Sequence, residues 1–146
     1  MIKLNETPLR TVRNFNINNI KIEDIEFPEN IKKFNNANLY LESSKDKAEF
    51  LKHNTTLTYG LSETFYKQVT NNSNYELKID INSKMKNSIT LDFNFDENNT
   101  NLVENIYIHA MENTKSNIAI KYKTPENLKC FHNGIIKIKA EKNSEV

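Results

Sequence analysis

Tyr75-Glu76-Leu77-Lys78-Ile79-Asp80-Ile81-Asn82 alternates apolar and polar residues without a slip. In an extended chain Tyr75, Leu77, Ile79 and Ile81 fall on one face, and Glu76, Lys78, Asp80 and Asn82 on the other, which is the signature of a half-buried strand. The pattern then recurs. Ile89, Leu91, Phe93 and Phe95 alternate with Thr90, Asp92 and Asn94, and Ile106, Ile108 and Ala110 with Tyr107 and His109. Ile118, Ile120 and Tyr122 form a fourth row, and Ile136, Ile138 and Ala140 a fifth, with Lys137 and Lys139 outward. Strand starts fall about 13 to 17 residues apart, a spacing that suits a β-sandwich or a stack of coils. Turn chemistry favours stacking. Two-residue hairpins want Asn-Gly or Asp-Gly, and Asn133-Gly134 is the only such pair, placed before the last strand with no partner strand directly upstream.

The chain changes character at Tyr75. Residues 1–74 read as an N-terminal arm with small helices, and residues 75–146 as the strand region, so the expected class is mainly β with an α+β start. Ile17, Ile20, Ile22 and Ile25 are scattered anchors in a polar thread. Phe27-Pro28 is extended or turned, because proline pushes its predecessor out of the helical region. One helical turn is expected around Ile31–Phe34, and a short helix over Ser44–His53, capped by Ser44, with Ala48, Leu51 and Lys47 on one face. Leu61–Thr70 carries the strongest helical pattern: Ser62 is the N-cap, and Leu61, Phe65 and Val69 recur at i, i+4 and i+8. Asn71-Asn72-Ser73-Asn74 is expected to end it.

Composition excludes several classes. The chain has 146 residues, net charge +1, and 27% charged residues, which lacks the basic imbalance of a nucleic-acid footprint. No run approaches the length of a membrane helix, and Met1-Ile2-Lys3-Leu4-Asn5-Glu6 has no apolar signal core. A single cysteine, Cys130, cannot form an internal disulfide and agrees with a reducing compartment; a cytoplasmic protein is expected. Gly60 and Gly134 are the only glycines, too few and too far apart for a Walker or dinucleotide-binding loop. About one residue in six is asparagine, interleaved with the apolar rows rather than run together, as an AT-rich genome would produce.

Candidate chemistry is sparse. Cys130 and His132 lie two residues apart and are the one pair from which metal or redox chemistry could come, yet a structural metal site usually takes four ligands. Packing is the simpler role for Cys130. His109 is expected at the surface beside Tyr107, and His53 at a helix end where the dipole suits a partly charged imidazole. Asp96-Glu97, with Asp92 nearby, would serve glycosidase-type chemistry only if two carboxylates faced each other across a cleft, and the chain has no tryptophan. Lys121, Lys123, Lys137, Lys139 and Lys142 form a solvated charged face or a pairing-resistant edge. No catalytic residue is assigned.

Tyr59-Gly60-Leu61-Ser62-Glu63-Thr64-Phe65-Tyr66, followed by Tyr75 to Leu91, resembles the entry into the core of the SufB/SufD family of iron–sulfur cluster assembly proteins. The link Glu112-Asn113-Thr114-Lys115-Ser116 is similar to the family's connection between two strands. His132-Asn133-Gly134-Ile135-Ile136-Lys137-Ile138-Lys139-Ala140 looks like a family coil running into a turn, and Pro8-Leu9-Arg10-Thr11 with Asn14 and Asn18 like the family's N-terminal arm. The resemblance covers most of the chain, best from Tyr59 on, and leans to the SufD side. It implies the first coils of a right-handed parallel β-helix. It implies a non-enzymatic scaffold, with a SufB/SufD-type paralogue and a SufC-type ATPase as partners. The iron–sulfur cluster would belong to the parent complex, with no cofactor in this stretch, because the family's metal-handling and ATPase-binding regions lie further toward the C-terminus than Val146. No functional residue is carried over. A β-sandwich ligand- or carbohydrate-binding module is the alternative. Stacked coils would leave the last strand, about Ile135–Ala140, as an open edge, for which self-association is the expected cover; neither nucleic acid nor membrane is an expected partner.

Overall fold

The computed structural model describes residues 2–4, 20–22, 25–53 and 62–146. In chain order they form β1 (Ile2–Leu4), β2 (Ile20–Ile22), β3 (Ala37–Leu41), β4 (Lys47–Glu49) and α1 (Glu63–Asn72), then β5 (Tyr75–Ile81), β6 (Asn87–Asn94), β7 (Asn101–Ala110), β8 (Ser116–Lys123) and β9 (Phe131–Ala140). The protein is mainly β with one short helix among the described residues. Ile17, Leu61, Tyr59-Gly60, and the Pro8–Thr11, Asn14 and Asn18 positions lie outside them.

From β5 onward, successive strands alternate between two sheets. β5, β7 and β9 pair in parallel in a sheet of order β4-β5-β7-β9, and β6 pairs in parallel with β8 in a sheet of order β3-β6-β8. Tyr75 pairs with Glu104 and Glu104 with Gly134, a step of 29 and then 30 residues; Asn87 pairs with Ser116, a step of 29. β3 and β4 close the other side of each sheet antiparallel, on β6 and β5, so part of residues 1–74 belongs to the same sheets as residues 75–146. β1 and β2 pair antiparallel with each other.

The inward rows fill the space between the sheets. Leu77, Ile79 and Ile81, Ile89, Leu91 and Phe93, and Leu102, Ile106, Ile108 and Ala110 are all buried in one cluster. Phe34 is buried with them, its ring edge-on to Phe93 and Phe95 at 5.8 and 5.3 Å. Fully burying side chains of this size stabilises by about 1.5–3 kcal/mol each. Turns stack as the strands do. Asn113 and Asn143 both adopt positive φ, 62° and 58°, a conformation that asparagine tolerates better than most residues, and Asn143 Nδ2 donates to Asn113 Oδ1 at 3.2 Å. Thr114 and Ser144 each return a hydroxyl to the carbonyl three residues back, Met111 and Glu141.

α1 covers the outward face of β7 and β9. Val69, Val103 and Ile135 form a second buried cluster, flanked by Ile31, Tyr66 and Phe131. Ser62 occupies the N-cap position in an extended conformation but makes no side-chain cap bond; its carbonyl accepts from the Tyr66 N–H at 3.0 Å.

Several expectations are corrected. Ser44–His53 is not a helix: β4 runs through it, because Ala48 faces Ile79 across the sheet edge and Asp46 ties the segment down. Asp46 Oδ1 accepts from the Asn82 and Ser83 N–H groups at 2.8 and 2.9 Å, and Oδ2 from the Asn87 side chain. Around Ile31–Phe34 there is no helical turn; the chain there has no regular secondary structure and buries Phe34. Asn71 and Asn72 belong to α1, and the turn falls at Ser73-Asn74. Asn74 replaces a strand partner there: its N–H donates to the Val103 carbonyl and its Oδ1 accepts from the Val103 N–H, at 2.9 and 2.8 Å. Asn133-Gly134 is inside β9 rather than before it. In β9 it is Ile135 that is buried, under α1, while Ile136, Ile138 and Ala140 are exposed, since no further strand covers them among the described residues.

Candidate functional site

Extending the inward row of β7 back from Ile106 puts a carboxylate, Glu104, inside the core. It is 1% exposed. Tyr75 and Gly134 flank it in register on β5 and β9. Gly134 is required by that packing: a Cβ there would sit 2.5 Å from Glu104 Cγ and 2.6 Å from its Oε1. The Glu104 side chain therefore occupies the space that a side chain at position 134 would fill, and its carboxylate reaches into the layer of β9.

Glu104 Oε1 is shared. The Tyr122 hydroxyl donates to it at 2.5 Å, and His132 Nε2 lies at 3.2 Å. Oε2 is buried without a partner. Aromatic rings wall the group: Tyr122 and His132 have centroids 4.5 Å apart, Phe93 and Tyr122 stack at 5.4 Å, and Tyr75 meets Phe93 edge-on at 4.9 Å. Burial, reinforced by the Glu104 charge, pushes Tyr75 up to about 12. Tyr122 is raised further, by burial first and then by its bond to Glu104. Both phenols stay protonated at neutral pH, so neither is a base or nucleophile, and Tyr122 serves Glu104 as a donor.

Cys130 and His132 part company in this setting. His132 turns to Glu104 and Tyr122, its side chain 37% exposed. Cys130 packs against the main core and lines a cavity of about 790 Å³ with Phe27, Pro28, Glu29, Asn101, Lys129 and Phe131. Burial raises its thiol, so the thiolate needed for nucleophilic attack or metal ligation is disfavoured. Among the described residues no group of three or more His, Cys, Asp or Glu side chains could hold a metal ion.

The other candidates are engaged elsewhere. His109 Nε2 bonds Glu141 at 2.8 Å, its Nδ1 lies 3.7 Å from Asp80, and its ring stacks on Tyr107. His53 ends no helix; it stacks on Tyr107 at 5.8 Å with Nδ1 3.5 Å from Glu76, so a dipole has no part in its placement. Asp96 Oδ1 closes its own turn by accepting from the Asn98 and Asn99 N–H groups, and Oδ2 accepts from Asn36 Nδ2 at 2.6 Å. Hydrogen bonds from Asn99 and Asn36 hold this carboxyl below its usual range. Asp92 lies between Lys121 and Lys123, at 3.8 and 4.0 Å. Lys139 pairs with Glu141 at 2.6 Å, and Lys137 lies over the Tyr66 ring.

The site the fold defines is thus a buried carboxylate, walled by aromatic rings, at the end of a stack of mixed sheets. No protein-family model matches the sequence, and no curated protein or solved structure matches it either. No helix among the described residues is long and apolar enough to cross a membrane.

Proposed function

We propose that the chain forms the first coils of a right-handed parallel β-helix and works as a non-enzymatic, cytoplasmic scaffold of the SufB/SufD kind in iron–sulfur cluster assembly. The observation that carries the reading is the full-coil register, Tyr75 to Glu104 to Gly134 in one sheet and Asn87 to Ser116 in the other. An antiparallel sandwich joins neighbouring strands through hairpins, whereas here β5, β6 and β7 each pair in parallel with the strand two along. Connections between parallel strands of one sheet are right-handed in the great majority of proteins, which supports the handedness. The sequence texture from Ser62 to Ala140 supports the family. The partners are then a SufB/SufD-type paralogue and a SufC-type ATPase, and the cluster belongs to their complex.

The test is genetic and biochemical together. Ile108→Asp, placed in the gene that encodes this chain, is expected to lower the activity of iron–sulfur enzymes such as aconitase about tenfold or more, by removing the folded scaffold. Zinc enzymes in the same cells should be unchanged. The unmutated chain should co-purify with the SufC-type ATPase of its own genome. Unchanged iron–sulfur activity in the Ile108→Asp strain would overturn the proposal.

A further inference from the structure

A polar column runs through the otherwise apolar interior where the turns enter β6 and β8. Asp46, Asn87 and Ser116 make it up: Asn87 Nδ2 donates to Asp46 Oδ2, and Asn87 and Ser116 are register partners on neighbouring strands. Each is 5% exposed or less. Ile89 and Ile118 hold the next inward positions on the same two strands. Most of the column's hydrogen bonding is complete. Asp46 Oδ1 accepts from the Asn82 and Ser83 N–H groups. The Asn87 N–H donates to the Lys115 carbonyl at 3.3 Å, and the Ser116 N–H to the Glu145 carbonyl at 2.9 Å. Two side-chain oxygens are left over. Asn87 Oδ1 and Ser116 Oγ are both buried without a partner, and buried polar atoms in folded proteins nearly always have one.

We propose that one ordered water molecule bridges these two oxygens, donating to Asn87 Oδ1 and to Ser116 Oγ, and so carries the hydrogen bonding of the column from Asp46 into the second coil. Space and orientation both favour it. Parallel strands keep a spacing of about 4.8 Å, while the side chain in the column shortens from an amide at Asn87 to a hydroxyl at Ser116. The difference is on the order of the 30 Å³ that a water molecule takes up in the liquid. A carboxylate only accepts, so the bond to Asp46 turns the Asn87 amide nitrogen toward it and leaves Oδ1 on the other side. The neighbouring hydroxyls are already committed, Ser83 to the Met85 carbonyl and Thr114 to the Met111 carbonyl. A cation suits the place less well: both Asp46 oxygens are taken by donors, and two neutral oxygens make a poor shell for a desolvated charge. The bridge is independent of the open layer beyond β9, because Ser116 Oγ is already enclosed. It rests on the two oxygens and not on the iron–sulfur reading.

Crystallography and urea unfolding of the whole chain test it together. A high-resolution crystal structure should show one water oxygen within about 3.2 Å of both Asn87 Oδ1 and Ser116 Oγ. A direct bond between the two side chains, an empty gap, or density with the short contacts of a metal ion would overturn the proposal. Two substitutions then separate a bridging water from simple packing. Ser116→Asn puts an amide donor where the water stands, so it should displace the water and leave the urea midpoint nearly unchanged. Ser116→Val fills the same space without a donor and strands Asn87 Oδ1, so its unfolding equilibrium constant should rise about tenfold. Equal losses in the two variants would mean that only volume matters at this position, which also sinks the bridge. If either variant fails to fold, the structure of the natural chain decides.

Discussion

In β7 the inward residues Ile106 and Ile108 are 0% and 1% exposed, while their register partners in β9, Ile136 and Ile138, are 44% and 50% exposed. The two strands carry the same alternation and adjoin in one sheet. What separates them is the layer above: β7 lies between β5 and β9, whereas among the described residues β9 has a neighbour on one side only. Alternation tells a strand which face is apolar, but burial is decided by what stacks on it. The outward faces invert the contrast at one point. Ile135, on the nominally wet side of β9, is 1% exposed because α1 lies over it.

The comparison breaks most directly at its matched pair. Ile108→Ala should cost about 3 kcal/mol through lost burial and a cavity, and Ile138→Ala about 1 kcal/mol or less, both read by urea unfolding. Equal losses would mean that the end layer is covered in solution. The next effect is steric. Gly134→Ala should cost about 2 kcal/mol, because Glu104 must move, and the penalty should nearly vanish in a Glu104→Ala background, where the space is free. A double-mutant cycle with no coupling would show that Glu104 does not occupy the position 134 gap. The smallest effect is alkaline. A tyrosine whose folded value is raised contributes stability that is fully present below pH 10 and lost as pH climbs through the folded value. For Tyr75 that loss spans pH 10 to about 12. Tyrosinate absorbance of Tyr75 and Tyr122 should therefore appear together with the loss of β-sheet circular dichroism, and Tyr122→Phe should remove part of the coupling.

Much of this was readable in the chain. The inward rows of β5 to β8 are local patterns, and α1 declared itself through Ser62, Phe65 and Val69, although it begins at Glu63 and runs on to Asn72. The misread parts depend on distant partners. β4 forms because β5 offers an edge some thirty residues downstream and Asp46 grips the Asn82–Ser83 backbone; nothing between Ser44 and His53 announces either. Asn74 looked like a turn residue and proved to be a substitute strand pair for Val103. Glu104 had a visible signal, since counting back by twos from Ile106 lands on it and then on Leu102. An acid in an apolar row is the kind of break that marks a site. His132 stood out beside Cys130 by adjacency, but its working neighbour, Glu104, is 28 residues away.

Asn133-Gly134 has a chemical consequence beyond packing. Asn-Gly is the dipeptide at which proteins age fastest: the glycine nitrogen attacks the asparagine side-chain carbonyl carbon, ammonia leaves, and the resulting succinimide opens to aspartate or isoaspartate. In the folded chain both residues lie in paired, extended β9. The Asn133 amide is held by the Phe65 carbonyl and by Gln68 Oε1, at 3.2 and 2.5 Å, and these bonds keep the side chain from swinging onto the backbone. The strand shelters its own weakest bond sequence, so isoaspartate at position 133 would accumulate as a record of time the molecule has spent unfolded.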